Sequence, residues 1–101
     1  MSLRLLMSLV LALAAGCTSV TVPIQEYTLA RSAIESAESN DAERLAPLIF
    51  QQAQQTYLQA ERLYQERDFE QARILFIKSR KLSEKAEATA RIKKSKTGEV
   101  L

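Results

Sequence analysis

Apolar residues recur every three or four positions along three segments of this chain, and that spacing is the period of an α-helix. Only four of the 101 residues are glycine or proline, so few positions favour a break in a helix. The spacing and the scarcity of helix breakers together predict an all-α fold.

The predicted domain occupies residues 23–93 and contains three antiparallel helices, at about residues 23–39, 45–67 and 68–93. Pro23 and Pro47 stand close to two of the predicted helix starts, where the missing proline N–H costs nothing. Asp68 is a good N-cap for the third helix, although Arg67 precedes it where a glycine would be expected. Because so few residues separate them, we expect the second and third helices to form an αα-hairpin that the first helix covers.

Each predicted helix has an apolar face that we expect to be buried. In the first helix the face consists of Tyr27, Ala30, Ile34 and Ala37. In the second it consists of Leu45, Ile49, Ala53, Tyr57, Ala60 and Tyr64, flanked by Leu48, Thr56 and Leu63. In the third it consists of Phe69, Ala72, Leu75, Phe76, Ser79, Leu82, Ala86 and Ala90. We expect the tyrosines to lie at the core edge with their hydroxyls in water, and residues 94–101 to form a flexible tail.

The only cysteine of the chain, Cys17, follows an apolar run. Arg4 precedes the run LLMSLVLALAA, and the small residues AAG lead into Cys17. A positive charge, an apolar run of this length and a small-residue site are the parts of a signal peptide, and the run is shorter than the roughly 20 residues of a membrane span. This order of features resembles the lipobox of bacterial lipoproteins.

The lipobox resemblance implies cleavage between Gly16 and Cys17, which removes residues 1–16 as a signal peptide. The Cys17 thiol would then carry diacylglycerol, and its new amino group an acyl chain such as palmitate. Thr18, which is not the aspartate associated with inner-membrane retention, implies the periplasmic side of the outer membrane. Ala14 departs from the leucine that is usual at its position.

The interpretation of Cys17 as a lipidated residue has one alternative, an inert cysteine near the end of an uncleaved helix. The chain has no second cysteine for a disulfide and no histidine to activate a thiol. If the lipobox functions, residues 17–22 form a tether that reaches about 20 Å when extended. The domain would then lie close to the membrane surface.

The predicted hairpin, AERLYQERDFEQARILFIKSRKL, resembles a tetratricopeptide repeat. The residues that match the small and large positions of that motif are Ala60, Leu63, Phe69, Ala72 and Phe76. Ser79 stands where alanine is usual, Arg67 replaces the turn glycine, and Glu84 replaces a common closing proline. The match covers one repeat, so it implies a tetratricopeptide-like hairpin without the concave groove of a repeat array.

Together with the lipobox, the segments ARSAIESAES, LAPLIFQQA and YQERDFEQAR resemble a family of small bacterial envelope lipoproteins. Their helical domain is a domain of unknown function, of the 4398 type. The family often occurs near OmpA-like, peptidoglycan-binding proteins. The resemblance therefore implies a location in the envelope and an envelope protein partner of the OmpA-like kind, but no reaction.

Basic residues are concentrated in the last predicted helix. Residues 17–72 hold four Lys or Arg and nine Asp or Glu, whereas residues 73–96 hold nine basic and two acidic residues. One interpretation is that this helix neutralises the more acidic helices against which it lies. The other is that it binds an anionic cell-wall polymer or lipid. The side chains available for such a partner are Arg73, Lys78, Arg80, Lys81, Lys85, Arg91, Lys93, Lys94 and Lys96.

The residue types do not favour an enzyme. Histidine, the commonest general base and metal ligand, is absent from the sequence. Glu35 with Glu38, and Glu84 with Glu87, share helical faces, but exposed charged faces are the ordinary arrangement. We expect no catalytic residue, no metal site and no cofactor other than the lipid on Cys17.

These observations favour a non-catalytic, lipid-anchored lipoprotein that acts in the periplasm as a helical adaptor or structural module. The alternative function is a basic-faced module that binds cell-wall polymer or anionic lipid. Self-association is a further possibility, because the segment ILFI (Ile74 to Ile77) is apolar on all sides. The formal net charge of +2 does not imply a nucleic-acid partner.

Overall fold

The structure, a computed structural model, describes residues 2–5, 7 and 21–98. Over residues 21–98 all regular structure is helical, which confirms the all-α prediction. The helices are α1 (Ile24–Ser39), α2 (Ala42–Leu45), α3 (Pro47–Gln65) and α4 (Phe69–Thr97). The predicted cleavage and lipidation site at Gly16 and Cys17 lies outside the described residues.

The short helix α2 separates α1 from α3 and was not among the three predicted helices. Leu45, which we placed at the start of the second helix, is the last residue of α2. A residue that precedes proline is held out of the helical conformation, and Ala46 accordingly has φ −138° and ψ 57°. Pro47 is therefore the first residue of α3, where its missing N–H leaves no bond unmade.

The turn between α3 and α4 is closed by backbone hydrogen bonds. The Asp68 N–H donates to the Leu63 carbonyl at 2.9 Å, and the Arg67 N–H donates to the Tyr64 carbonyl at 3.1 Å. This pairing is a Schellman motif, and its left-handed position is Arg67 with φ 63°. The Asp68 side chain accepts from the Gln71 N–H at 3.5 Å, which confirms the predicted N-cap.

Helix α4 is longer than predicted. It continues to Thr97, four residues past the predicted end at residue 93, so residues 94–97, which we placed in the tail, are helical. Gly98 ends the helix in the left-handed conformation, with φ 73°, and its N–H donates to the Lys94 carbonyl. Within this last stretch, Lys94 pairs with Asp41 of the α1–α2 turn at 3.4 Å.

Helix α4 contacts both other long helices. The Ser79 hydroxyl donates to the Ala53 carbonyl of α3 at 2.9 Å, and further along α4 the Lys93 ammonium donates to the Leu45 carbonyl before α3. Increasing residue numbers in α4 thus meet decreasing numbers in α3. On α1, the Tyr27 ring lies 4.7 Å from that of Phe76.

The core consists of two apolar clusters that are built largely from alanine. One contains Ala30, Ala60, Ala72 and Phe76, with Tyr27, Tyr57, Leu63, Tyr64 and Leu75 packed against it. The other contains Ala37, Ala42, Ala46, Phe50, Ala86 and Ala90, with Ile34, Leu45 and Ile49 packed against it. Among the described residues, Phe50 and Phe76 are the large apolar side chains that are fully buried. Because alanine is small, the helix axes can approach closely along most of the contact.

The predicted faces need two corrections. Phe50 was not among the predicted core residues, yet it is 1% exposed, whereas Leu48 is 67% exposed. At the start of α3 the buried face passes through Phe50 and Ala53, and Ile49 lies at its edge. The prediction of a hydroxyl in water is wrong for Tyr27, whose Oη donates to the Glu61 carboxylate at 2.5 Å.

Candidate functional site: the basic face of helix α4

The basic residues predicted to bind an anionic partner all lie on α4, but the structure divides them by their partners. Three contact the α1–α2 turn, two pair with a carboxylate on α4 itself, and three of the remaining lysines lie together on one face. Lys96, near the end of α4, is exposed. The position of each cation relative to the other helices decides this division.

Arg91, Lys93 and Lys94 form the first group, which we call the C-terminal clamp. The three contacts are Arg91 Nε to Asn40 Oδ1 (3.4 Å), Lys94 Nζ to Asp41 Oδ2 (3.4 Å) and Lys93 Nζ to the Leu45 carbonyl. Arg91 also pairs with Glu87 at 2.6 Å. Lys94 has a side chain that is only 19% exposed, so its methylene groups are packed as well as its charge paired. Within this group Lys94 neutralises a carboxylate outside α4, whereas Arg91 and Lys93 meet neutral oxygens of the α1–α2 segment.

Arg73 and Arg80 form the second group, and their pairs stay within α4. Arg73 binds Glu70 at 2.7 Å and Arg80 binds Glu84 at 3.2 Å. The hydrogen bond from Arg73 lowers the pKa of the Glu70 carboxyl below its usual value. Pairs of this kind on an exposed helix surface contribute little to stability, and they reduce the charge available to a partner.

Lys78, Lys81 and Lys85 form the third group, which we call the lysine strip. Their spacing of three and four places them along one face of α4, and all three side chains are exposed. Across residues 21–98, no carboxylate lies within ion-pair distance of any of them. Ile74, Ile77 and Leu82 line the same shallow groove as the three lysines, so the strip is both basic and apolar.

The two borders of the lysine strip are mostly neutral. On the α3 side, Lys78 and Leu82 share a surface depression with Gln52, Gln55, Thr56 and Gln59. On the α1 side, Ile77 lies in a groove with Leu29, which is 45% exposed, and with Gln25, Glu26 and Arg80. Amides and aliphatic groups therefore border most of the strip.

The other sequence candidates do not come together as a reactive site. Glu35 pairs with Arg31 at 3.4 Å, and Glu84 and Glu87 each pair with an arginine, so neither carboxylate pair acts as a unit. Within the described part of the chain no group of three or more His, Cys, Asp or Glu side chains is placed to hold a metal ion.

The Tyr27–Glu61 contact is the described polar pair with the largest electrostatic effect. The hydrogen bond to Glu61 raises the Tyr27 pKa above its usual value near 10, and a hydrogen bond with Tyr57 and burial add to the increase. The Tyr27 ring packs against three aromatic rings at 4.7 to 5.9 Å. This pair therefore joins α1 to α3 as a structural contact.

Most of the segment ILFI (Ile74 to Ile77) is buried or partly buried in the folded domain. Phe76 is fully buried and Ile74 is 44% exposed, while Leu75 and Ile77 are partly buried. Ile74 is thus the main apolar surface that this segment offers to a partner, and it lies in the groove of the lysine strip.

Residues 25–99 match the model of a protein family described as a domain of unknown function, DUF4398. The match covers about three quarters of the chain and all of α3 and α4. The chain belongs to this family. No curated protein and no solved structure matches it.

The matched region of this DUF4398 domain contains both the C-terminal clamp and the lysine strip, whereas Cys17 precedes it. None of the helices in the described part of the chain has the length and hydropathy that a membrane span requires. Sequence reasoning missed the neutral border formed by Gln52, Gln55 and Gln59, although their spacing of three and four indicates one helical face.

Proposed function

We propose that this DUF4398 domain is the helical part of a lipid-anchored lipoprotein of the bacterial cell envelope. It acts without catalysis as an adaptor or structural module in the periplasm, at the outer membrane. The observation that carries the proposal is the groove between α1 and α3, where Leu58 is 63% exposed beside Ile34 and Tyr57, because a packed helical unit that leaves an apolar groove open has a face for a protein partner.

The anchor in this proposal is the lipid on Cys17, which the signal peptide and the small residues before it support. Two or more acyl chains hold a protein firmly on a membrane, whereas one chain holds it only marginally. Residues 17–22 then limit the distance between the membrane and the start of α1 to about 20 Å.

The module in this proposal is an antiparallel three-helix unit formed by α1, α3 and α4, with α3 and α4 as a tetratricopeptide-like hairpin. The Ser79–Ala53 hydrogen bond supports the hairpin, since it explains a serine where that motif usually has alanine. The ring contact of Tyr27 with Phe76 and its hydrogen bond to Glu61 support α1 as the covering helix.

The partner in this proposal is an envelope protein of the OmpA-like kind. In-cell crosslinking with mass spectrometry, on the wild type and on Cys17→Ala, tests both the anchor and the partner. We expect the wild type to yield a lipidated Cys17 peptide from the membrane fraction and one recurrent protein crosslink, and Cys17→Ala to lose both. A free Cys17 thiol on a chain that still begins at Met1 would contradict the anchor, and a wild type without protein crosslinks would contradict the adaptor role.

A second candidate function is a basic-faced module that binds cell-wall polymer or anionic lipid. Lys78, Lys81 and Lys85 have no carboxylate partner among residues 21–98, and this favours it over a purely structural role. This function predicts pelleting with cell wall or anionic vesicles that decreases as salt is raised. Pelleting that does not respond to salt would contradict it.

A further inference from the structure

We infer that the lysine strip, together with Ile74, docks on the anionic lipid headgroups of the membrane that holds the chain. The inference names the partner of the open face of α4 and rests on the anchor proposed at Cys17. In this arrangement α4 lies along the membrane surface and the α1–α3 side faces away from it.

The charge of the strip fits a lipid surface. The three lysines have no carboxylate partner among residues 21–98, and amides border them on the α3 side. The nearest acidic group on α4, Glu84, is held by Arg80 at 3.2 Å. Each lysine at an anionic membrane surface strengthens binding about fivefold, so three lysines together contribute about a hundredfold.

The apolar residues of the strip distinguish a lipid surface from a cell-wall polymer. Ile74 is 44% exposed in the same groove as the lysines, and Leu29 of α1 is 45% exposed beside Ile77. A helix that lies in a membrane interface buries such side chains among the acyl chains, while lysine stems extend its charges to the headgroups. A hydrated polymer would bind the charges and gain nothing from Ile74.

The place where the tether joins the domain brings the strip to the same membrane. Helix α1 begins at Ile24, and the groove that joins Gln25 and Glu26 to Ile77 places this end of α1 beside the strip. From Ile74 to Lys85 the strip spans about 17 Å of helix, since each residue rises 1.5 Å. A tether of about 20 Å is long enough for Cys17 and the strip to reach one plane.

The test uses the mature chain, residues 17–101, with Cys17→Ala, so that neither the acyl anchor nor the apolar signal segment contributes to binding. The chain is titrated with neutral phosphatidylcholine vesicles and with vesicles that contain one third phosphatidylglycerol. The variant carries K78Q, K81Q and K85Q, and the matched control carries R31Q, R62Q and R67Q, which remove the same charge away from the strip. A third variant, K78R/K81R/K85R, keeps the charge, and circular dichroism verifies that each variant folds.

We expect the Cys17→Ala parent to bind anionic vesicles more tightly than neutral ones. In the K78Q/K81Q/K85Q variant, the ratio of the two affinities should fall about a hundredfold. The arginine variant should retain the ratio of the parent, and the control should lose less than about threefold, because salt screens charges that lie beyond about 10 Å from the surface. Ile74→Ser should weaken binding to anionic vesicles about fivefold without altering its salt dependence.

Equal losses in the strip variant and the control would overturn the inference, and so would strip-dependent pelleting with purified cell wall in the absence of vesicle binding. The result of the vesicle titration does not depend on Cys17, since the parent chain in that experiment carries Cys17→Ala. A wild-type chain whose Cys17 carries no lipid would therefore refute the anchor separately, in the membrane-fraction mass spectrum described above.

Discussion

Helix α4 carries two sets of basic side chains that differ in their partners, the C-terminal clamp and the lysine strip. The C-terminal clamp is bound by the α1–α2 turn and the end of α2, whereas the lysine strip, centred about three turns earlier on the same helix, has no internal partner among the described residues. The residue types are the same, so composition does not explain the difference. The clamp lies opposite a turn whose carboxylate, amide and carbonyl oxygens accept hydrogen bonds, and the strip lies between apolar and amide side chains. The charge of α4 is thus structural at one end and available to a partner in the middle.

The packing beneath these two regions also differs. Near the strip, Phe76 meets the rings of Tyr27, Tyr57 and Tyr64 at 4.7 to 6.3 Å. Near the clamp, Phe50 is surrounded mainly by alanines. The strip is therefore supported by aromatic contacts, and the clamp adds polar contacts to a core of small residues.

We expect the largest difference in stability between the two regions at their buried phenylalanines, Phe76 near the strip and Phe50 near the clamp. Phe76→Leu should lower the free energy of unfolding by about 2 kcal/mol. Leucine loses the three ring contacts, and its side chain fills the space of the phenylalanine ring less well. Phe50→Leu, the matched control, should cost about 1 kcal/mol. Urea unfolding followed by circular dichroism measures both values. A larger loss for Phe50→Leu would show that the aromatic cluster does not dominate the core.

The next comparison concerns two turns that contain a residue with positive φ. Asp41 lies in the turn before α2, and Arg67 lies in the turn after α3. Arg67 has φ 63°, and glycine adopts this conformation without steric cost, so Arg67→Gly should raise the free energy of unfolding by about 1 kcal/mol. Asp41 has φ 59° but also binds Lys94, so Asp41→Gly should give a smaller gain. Equal gains in thermal unfolding would show that the Lys94–Asp41 pair contributes nothing to stability.

The clamp and the strip can be compared directly by removing two lysines from each. Lys93→Ala with Lys94→Ala should destabilise the domain by about 1 kcal/mol, because both side chains contact the α1–α2 region and Lys94 is packed. Lys78→Ala with Lys81→Ala should change stability by less than about 0.5 kcal/mol. Chemical denaturation of both double variants checks this. A strip variant as unstable as the clamp variant would contradict the division of α4.

The smallest expected effect is on the pH dependence of stability. It comes from Tyr27, whose ring packs on Phe76 near the strip. The hydrogen bond to Glu61 raises the Tyr27 pKa, so the folded chain keeps this proton at a pH where the unfolded chain loses it. The stability from Tyr27 is therefore fully present below about pH 10 and is lost as pH rises above that value. Tyr27→Phe should lower the stability at pH 8 slightly and should reduce the fall in Tm between pH 9 and 11. An identical fall in both proteins would contradict the role of this hydroxyl.

The sequence predicted the helical class and several local features because these depend on neighbouring residues alone. Pro47 at a helix start and the Asp68 cap are both present, since each follows from one or two residues. Ala53 and Ala60 are buried as the spacing in α3 indicates. The helical period was therefore a sound guide within a helix.

The sequence did not predict features that depend on how the helices meet. Phe50 was missed because the face of α3 is fixed only where Ala46 and Pro47 set the angle at which the chain enters it. The contact between Lys94 and Asp41 joins residues that are far apart in the chain, so the spacing within α4 does not indicate it. The helical period places Lys94, four residues after Ala90, on the buried face of α4 and Lys81 on the opposite face, but it does not indicate that Lys94 meets Asp41 there.

The central claim is that the lysine strip faces the membrane, and a fluorescent probe in the anchored protein tests it most directly. Ile74→Cys and Leu58→Cys each place one reactive thiol at an exposed position, 44% and 63% exposed, and Leu58 lines the α1–α3 groove. With Cys17 lipidated, an environment-sensitive dye labels only the new cysteine. In anionic vesicles with brominated lipids we predict quenching at position 74 and none at position 58, with the difference lost at high salt. Equal quenching at both positions, or quenching at position 58 alone, would contradict the account.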